Sequence, residues 1–405
     1  MAVAMASAAG EAPERWSARA VALVALCFAI NMADGVDVTI LSFIAPRLQA
    51  EWGLGPAAMG QLFSAGLIGM AAGGVGIAPL ADRIGRRRVI LVALALMTGG
   101  MLLSGLARGW ADLFAVRLVV GAGIGTVLAA MAALAAEVAP HRHRHLAVGL
   151  VQAGYPFAAV FTGLLVAVLL PLHGWRALLT GAGLLSLVLV PAAIVLLPRG
   201  GGAVQRGGRV TALFAGDLRA RTLALWLAVF AGLMVLYFVV SWIPRLAIAA
   251  GLSETNGIYA GALYNLGAFA GTSLMSVAAL RLPLGRLVPA MLLGAAAALM
   301  LFGTVHWPVG PTLLLAFAIG VLLQGGYNGL WPMAAAAYPE HVRATGVGWS
   351  IGIGRGGAVI GPWLGGMLMA AHVSLPVLFG AFCIPLLTCA AGAWFIEKRA
   401  PTGNS

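Results

Sequence analysis

The sequence predicts an all-α integral membrane protein, with twelve transmembrane helices in two halves of six. Of its 405 residues, 61% are hydrophobic and only 9% are charged, whereas a typical soluble domain has about 25% charged residues. Apolar runs of roughly 20 residues, the length that crosses a bilayer as a helix, recur along the whole chain. The alternation typical of barrel strands is missing from these runs, and backbone groups in lipid must hydrogen-bond internally, so helices are expected.

Twelve apolar runs follow one another along the chain. They lie at about residues 20–44, 57–79, 88–108, 112–137, 146–171, 175–197, 221–247, 256–280, 286–304, 311–337, 345–371 and 374–396. The first residues lack a basic region followed by an apolar core and a cleavage site, so residues 1–17 are predicted to be a disordered tail and not a cleaved signal. Residues 397–405 are predicted to form a C-terminal tail.

The positive charges indicate the orientation of the predicted spans. The net charge is +12, but most Lys and Arg residues fall on one side of the membrane if the N-terminus is cytoplasmic. By the positive-inside rule, both termini are therefore expected in the cytoplasm, and no basic soluble domain remains to bind nucleic acid. All but one of the 24 Lys and Arg residues are arginine, which favours a GC-rich bacterial genome and hence the bacterial inner (plasma) membrane.

An internal repeat divides the chain. A Gly- and Arg-rich segment, predicted as a flexible cytoplasmic linker over residues 198–220, separates an N-terminal half (18–197) from a C-terminal half (221–396). Two cytoplasmic segments share the same spacing of Pro, Arg, Val and Gly: Pro140, Arg144, Val148 and Gly149 in one, and Pro339, Arg343, Val347 and Gly348 in the other. Parallel repeats of this kind place a substrate site between the halves, near the middle of the membrane.

Two carboxylates interrupt the first predicted span. Asp34 and Asp37 are three residues apart and therefore share one face of a helix, with Gly35 leaving room for a close neighbour. Because two acids in a low-dielectric cavity repel each other, at least one is expected to gain and lose a proton. Charged residues in spans are functional candidates by default. The alternative is a structural pair whose charge is satisfied by a fixed arginine.

Two arginines also lie within predicted spans. Arg117 is expected at a depth similar to that of Asp37, so the two are predicted to pair when substrate or proton is absent. Arg355, inside the segment GIGRGG, is a candidate receptor for an anionic substrate, because a guanidinium binds a carboxylate through two hydrogen bonds. The alternative for Arg355 is a structural cation bonded to carbonyls of a neighbouring helix.

Aromatic and amide side chains are candidates for the walls of the cavity. They occur in the seventh, eighth and tenth predicted spans: Tyr237, Trp242, Asn265, Gln324, Tyr327, Asn328 and Trp331. The cluster GYNGLW combines aromatic faces with amides and suits a flat ligand. Most aromatic residues of membrane helices belong instead to the core or to the interfacial belts, which is the alternative for each of these residues.

The segment PLADRIGRRRVIL, residues 79–91, is predicted to act as a conformational latch. Its arginines, Arg83, Arg86 and Arg87 among them, suit a cytoplasmic loop, but topology does not require Asp82. Glu137, at the inner end of the fourth predicted span, is a natural partner for one of these arginines. Such contacts are expected only when the cytoplasmic side is shut, and they would favour the outward-open form.

Several of these motifs resemble known families. The loop resembles the signature G-x-L-A-D-R-x-G-R-R of the major facilitator superfamily, with Ala78 at the first Gly. DGVD, RLVVGAGIG, GWRALL and YPEHVRATGVGWSIGIGRGGAVIGP are similar to the aromatic acid:proton symporter family. The resemblance implies a major facilitator fold. It also implies residue roles: substrate and proton binding for Asp34 and Asp37, gating for Asp82, Glu137 and Arg343, and a requirement for Arg117 and Arg355 in transport.

The function expected from these features is secondary active import of a small organic anion, an aromatic carboxylate, by proton symport with alternating access. The expected partners are the anion, protons and the lipid bilayer, with the protein active as a monomer and without a cofactor or metal. A proton-coupled exporter of drugs or metabolites is the alternative, which the segment VQAGYPFAAVFTG weakens because it lacks an antiporter signature. The clustered histidines His141, His143 and His145 lie on a basic loop and do not indicate an enzyme.

Overall fold

A computed structural model describes residues 16–198, 210–216, 218–305 and 307–399. Within these ranges the regular structure is entirely helical, in agreement with the predicted all-α class. Most of the predicted N-terminal tail and of the predicted linker lies outside the described residues. The last helix continues to Arg399, three residues into the predicted C-terminal tail, and ends in a charged turn beyond the apolar stretch.

Fourteen α-helices are present in the described residues, and shorter 3₁₀ and π turns join some of them. The α-helices are α1 (Ala18–Trp52), α2 (Pro56–Ala72), α3 (Ala81–Ile84), α4 (Arg86–Ser104), α5 (Trp110–Val138), α6 (Arg144–Leu187), α7 (Leu189–Leu196), α8 (Leu218–Ala249), α9 (Glu254–Ala278), α10 (Leu284–Thr304), α11 (Val309–Asn328), α12 (Leu330–Ala337), α13 (Glu340–Ala370) and α14 (Leu375–Arg399). A π-helix at Gly73–Ile77 continues α2 toward α3.

Local sequence explains the ends of α1. The Ser17 hydroxyl accepts a hydrogen bond from the Ala20 backbone N–H at 3.1 Å, which caps the first turn. Gly53 ends the helix in the left-handed conformation, with φ 63°, and a side chain would be strained there. The 35 residues between these caps form a helix of about 50 Å, longer than the roughly 30 Å of a bilayer core.

The long helix α6 reverses direction at Gly174. Its φ of 72° and ψ of 170° break the helix, between the positions of the fifth and sixth predicted spans. Glu51, near the end of α1, fixes this corner by accepting hydrogen bonds from Trp175 Nε1 at 2.6 Å and Arg176 Nη1 at 2.5 Å. The motif GWRALL therefore has a structural role in holding the reversal against α1.

Nine helical segments of the described chain are long and apolar enough to cross a membrane. One of them, Leu146–Leu196, includes the reversal at Gly174. The result supports a multi-pass membrane protein whose fold is wholly helical in the described ranges.

Contacts between the N-terminal and C-terminal helices are concentrated toward one end of the bundle. Among the helices before residue 198, α1 packs on α6, and both α2 and α4 pack on α5; after residue 218, α8 packs on α13 and α9 on α11. Five hydrogen bonds that join these two groups lie in the half of the bundle nearer Gly53: Ser42 to Val240 and Ser241, Arg47 to Glu254, Ser64 to Val359, and Arg245 to Gln49. We call this the Gly53 end.

Small residues let α2 and α5 approach closely and so position Arg117. A Cβ atom built on Gly121 would lie 2.0 Å from the Gly66 carbonyl oxygen, and Arg117 is one helical turn before Gly121. The backbones are therefore in direct contact beside the Arg117 side chain, as in other membrane helix pairs that pack through small residues.

Replacing Gly121 by alanine is expected to destabilise the protein by about 1–3 kcal/mol, because the added methyl group must push two backbones apart. Gly99→Ala is the matched control, since a Cβ atom at Gly99 meets nothing within 4 Å. The measurement is the thermal unfolding midpoint of each purified variant in detergent. An unchanged midpoint for Gly121→Ala would contradict the close packing of α2 on α5.

Candidate functional site

A buried ion pair joins α1 to α5. Arg117 Nη1 donates a hydrogen bond to Asp37 Oδ1 at 2.5 Å, and both side chains are only 4% exposed. Arg117 Nη2 also approaches the Asp37 backbone oxygen at 3.4 Å. The structure thus contains the contact that the similar depths of Asp37 and Arg117 predict. Removing either partner would leave a buried charge without compensation.

A small cavity lies directly beside this pair. Asp37, Arg117, Tyr237 and Ser241 supply its polar lining, together with apolar side chains from α1, α2 and α5. Tyr237 comes from α8, so both groups of helices contribute to the wall. This arrangement agrees with a site between the two halves of an internal repeat.

Asp34 is buried beside the pair but has a different environment. It is 5% exposed, and its Oδ1 has no hydrogen-bond partner within the described part of the chain. It interacts electrostatically with Asp37, Arg117 and Arg355. An unsatisfied carboxylate oxygen inside a membrane protein is energetically costly, which makes Asp34 a candidate functional group.

Arg355, on α13, brings a cation to the other side of this region. It is half-buried, and in the described ranges no carboxylate or carbonyl oxygen pairs with it. The predicted structural alternative, bonds to carbonyls of a neighbouring helix, is therefore not formed here. Arg355 is close enough to Asp34, Tyr237 and Tyr327 to interact with them electrostatically, so the free guanidinium belongs to the same polar region.

Two further buried tyrosines lie near Tyr237. Tyr264 and Tyr327 are buried, and their hydroxyl groups lack partners among the described residues. Both interact electrostatically with Tyr237. Tyr264 lies in the eighth predicted span, directly before Asn265 in the sequence.

Tyr155 is a further member of this region that the sequence analysis missed. It lies on α6, and it interacts electrostatically with Asp34, Tyr237 and Tyr264. A Cβ atom on Gly35 would lie 2.5 Å from the Tyr155 carbonyl oxygen, so Gly35 allows α6 to approach α1 beside Asp34. The aromatic residue before Pro156 in an apolar span was a weak signal, but only the packing of α6 on α1 identifies its position.

The other predicted cavity residues have mainly structural contacts in this conformation. Trp242 is fully buried and donates from Nε1 to the Pro362 oxygen at 2.9 Å, and Asn265 donates to the Gly261 oxygen at 2.9 Å. The amide of Asn328 donates to Thr272 Oγ1 at 2.7 Å and neighbours Gln324, while Trp331 packs edge-on against Tyr327. Substrate binding by these residues stays a prediction.

The predicted contact between Glu137 and one of the latch arginines is present, while its action as a latch stays a prediction. Arg86 Nη1 lies 2.8 Å from both carboxylate oxygens of Glu137, and Arg86 Nη2 donates to the Ala130 oxygen. Arg87 donates to the Ile194 oxygen at 2.6 Å. These contacts join α4 to α5 and α7, within one group of helices, so they do not by themselves close a path between the groups.

The remaining latch residues have fewer described contacts. Arg83 and Arg343 are exposed, and the side chain of Asp82, within α3, lies outside the described set. Gating by these residues therefore stays a prediction. In the described chain, no cluster of three His, Cys, Asp or Glu residues has the geometry of a metal site.

The family model described as Major Facilitator Superfamily matches residues 26–349. The chain belongs to the major facilitator superfamily. Its fold is similar to that of the D-xylose-proton symporter, with a TM-score of 0.78 over 94% of this chain and 99% of that structure, at 14% sequence identity. It is therefore a transporter and not an enzyme.

Similar proteins indicate the branch of the superfamily to which this chain belongs. It is 32% identical to a gallate transporter of Pseudomonas putida, over 91% of this chain and 90% of that protein. It is equally 32% identical to the 4-hydroxybenzoate transporter PcaK of Pseudomonas aeruginosa (90% and 89% covered) and to the 3-(3-hydroxy-phenyl)propionate transporter of Escherichia coli (96% and 96% covered). The resemblance to the aromatic acid:proton symporter family is confirmed.

Proposed function

We propose that this protein imports a small aromatic carboxylate together with protons, by alternating access. The observation that carries the proposal is an unpaired Arg355 that interacts electrostatically with the unpaired Asp34, beside the Asp37–Arg117 pair, in the described chain. A free cation can bind an anion, and a free acid can exchange a proton. The names of the relatives, which transport gallate, 4-hydroxybenzoate and 3-(3-hydroxy-phenyl)propionate, support an aromatic acid as the anion.

Arg355 would bind the carboxylate of the substrate, and the tyrosines would surround its ring. A bidentate guanidinium contact fixes the plane of a carboxylate as well as its charge. The buried hydroxyls of Tyr264 and Tyr327, which have no partner among the described residues, can each form a hydrogen bond with a polar substituent on the ring. A buried hydroxyl that remains unsatisfied costs about 1–3 kcal/mol, so a hydroxylated ring suits this site better than a bare one.

Proton coupling would arise from the acids of α1. An ionised aspartate next to Arg355 repels an incoming anion, whereas a protonated one does not. Loading of the anion and protonation of the acid therefore favour each other, which is the requirement for symport. Alternating access moves the loaded site from one side of the membrane to the other.

We also propose twelve transmembrane spans in two halves, residues 18–197 and 221–396, joined by a linker at residues 198–220. The nine apolar segments, the reversal at Gly174, and the long helices α9 and α13 support this number. The distribution of arginines supports cytoplasmic termini. The bacterial relatives support the inner membrane of a bacterium as the location, and we propose the monomer as the working unit. In this orientation the Gly53 end is periplasmic, and its hydrogen bonds describe a carrier that is closed on the outside.

Transport by liposomes that contain the purified protein tests the proposed function. Accumulation of labelled 4-hydroxybenzoate is measured with an inward proton gradient, without a gradient and with an outward gradient, beside protein-free liposomes. Uptake above equilibrium only with the inward gradient is expected. Accumulation that requires the outward gradient would indicate proton-coupled export, and no transport of any aromatic acid would refute the substrate class.

Tyr264→Phe and Tyr327→Phe are expected to weaken binding of 4-hydroxybenzoate by about 3- to 10-fold each, the usual value of one neutral hydrogen bond. Binding of benzoate, which has no ring hydroxyl, should change little. Tyr259→Phe, on the same helix as Tyr264, is the control. The measurement is the concentration that half-saturates counterflow exchange. An equal loss for both acids would contradict recognition of the ring substituent.

A further inference from the structure

The two acids of α1 share one helix face but differ in their partners. Asp37 is bonded to Arg117 through Oδ1, whereas Asp34 Oδ1 has no partner among the described atoms. Both side chains are at least nine-tenths buried. Protonation of Asp37 would therefore leave a buried cation without its partner, whereas protonation of Asp34 would not, although the spacing in the sequence makes the two positions look equivalent.

We propose that Asp34, and not Asp37, carries the transported proton, and that Asp34 competes with the substrate carboxylate for Arg355. This inference rests on the proposed function, because it names the coupling residue of that same site. It assigns Asp37 to a second task, which is to hold the charge of Arg117 in every state of the cycle.

The charge balance at each acid favours this division. A proton placed on Asp37 would leave the Arg117 cation buried without its partner, and breaking a buried pair on one side is strongly unfavourable. A proton placed on Asp34 instead removes an unsatisfied buried negative charge. Asp34 can therefore change its charge without disturbing the contact between α1 and α5.

The surroundings of Asp34 explain how the proton and the anion are coupled. Ionised Asp34 attracts Arg355, which lies on the other group of helices, although the two form no ion pair in the described chain, and it therefore competes with the substrate carboxylate for this cation. Protonation ends this attraction, and the guanidinium can turn to the substrate. The titratable and charged groups that face Asp34 are Asp37, Arg117, Arg355, Tyr155 and Tyr237. None of the other groups in this set is an unpaired acid, so Asp34 is the group whose protonation can change during transport.

This assignment gives Asp37→Asn an indirect effect. The substitution leaves Arg117 without its partner, and Asp34, which already interacts electrostatically with Arg117, is the nearest replacement. Once paired with Arg117, Asp34 would stay ionised, and accumulation driven by the proton gradient would be lost. Removing Arg117 as well should release Asp34 again.

The test compares four forms of the full chain in liposomes: wild type, Asp34→Asn, Asp37→Asn, and the double variant Asp37→Asn/Arg117→Gln. Counterflow exchange of labelled 4-hydroxybenzoate reports binding and alternation, and gradient-driven accumulation reports coupling. Asp34→Asn is expected to exchange substrate with little dependence on pH and to accumulate none. The double variant is expected to recover at least a tenth of wild-type accumulation, whereas Asp37→Asn alone accumulates none.

Two results would overturn the proposal. One is a double variant that exchanges substrate but does not accumulate it, and the other is an Asp34→Asn variant that still accumulates it. If the wild type accumulates 4-hydroxybenzoate in the same experiment, either result refutes only the assignment of the proton to Asp34. If the wild type does not accumulate it, the proposed function itself is refuted.

Proton uptake on substrate binding provides a second measurement that does not depend on the double variant. Purified wild type in weakly buffered detergent solution should take up protons when 4-hydroxybenzoate is added. Asp34→Asn should bind the acid without this uptake. Undiminished proton uptake by Asp34→Asn would contradict the proposal even if the double variant does not fold.

Discussion

Replacing Arg117 by glutamine is expected to lower the free energy of unfolding by about 3–5 kcal/mol, because Asp37 would remain as a buried carboxylate without its cation. The pair is only 4% exposed, so water cannot replace the lost partner. Asp37→Asn is also expected to destabilise the protein, because Arg117 loses its bonded partner and must pair with Asp34 instead. Thermal unfolding of the purified variants, followed by size-exclusion chromatography after heating, measures the effect.

The double variant Asp37→Asn/Arg117→Gln separates two contributions to the free energy of unfolding: the stabilisation by the ion pair and the destabilisation by one unpaired buried charge. Two neutral amides can hydrogen-bond at this position, so the double variant should be more stable than either single variant by at least about 2 kcal/mol. Additive losses would indicate that the two side chains act independently. That result would contradict an ion pair as the main contact between these positions of α1 and α5.

Replacing Arg355 by glutamine is expected to weaken binding of 4-hydroxybenzoate about 100-fold, which corresponds to roughly 3 kcal/mol. The guanidinium is the unpaired cation of the polar region, and its loss leaves the substrate carboxylate without a counter-ion. The protein should still fold, because Arg355 holds no ion pair within the described chain that its removal would break. Half-saturation of counterflow exchange measures the affinity.

Two control variants make this result specific. Arg355→Lys keeps the charge but lacks the two parallel donors, so an intermediate loss is expected. Arg281→Gln removes an exposed arginine after α9 and should leave exchange unchanged. If Arg355→Gln bound the acid as tightly as the wild type, the carboxylate would have to bind elsewhere in the cavity.

The sequence by itself determined the fold class and the charged residues of the site. Long apolar runs require helices, because backbone groups in lipid must pair within the chain. The sequence identified four charged residues as candidates, because charged side chains inside membrane spans are energetically unfavourable and are usually functional. They are Asp34, Asp37, Arg117 and Arg355. Even the Asp37–Arg117 contact was predicted, since helical rise converts position in the chain into depth in the membrane.

The tertiary structure alone decided which contacts each of these residues makes. Helical spacing places Asp34 and Asp37 on one face, but it does not say which neighbouring helix each of them meets. That depends on close contacts such as Gly35 against Tyr155, which are made between distant parts of the chain. It also decided that Trp242 is packed in the core. Depth follows from local sequence, whereas the choice of partner follows from the packing of whole helices against one another.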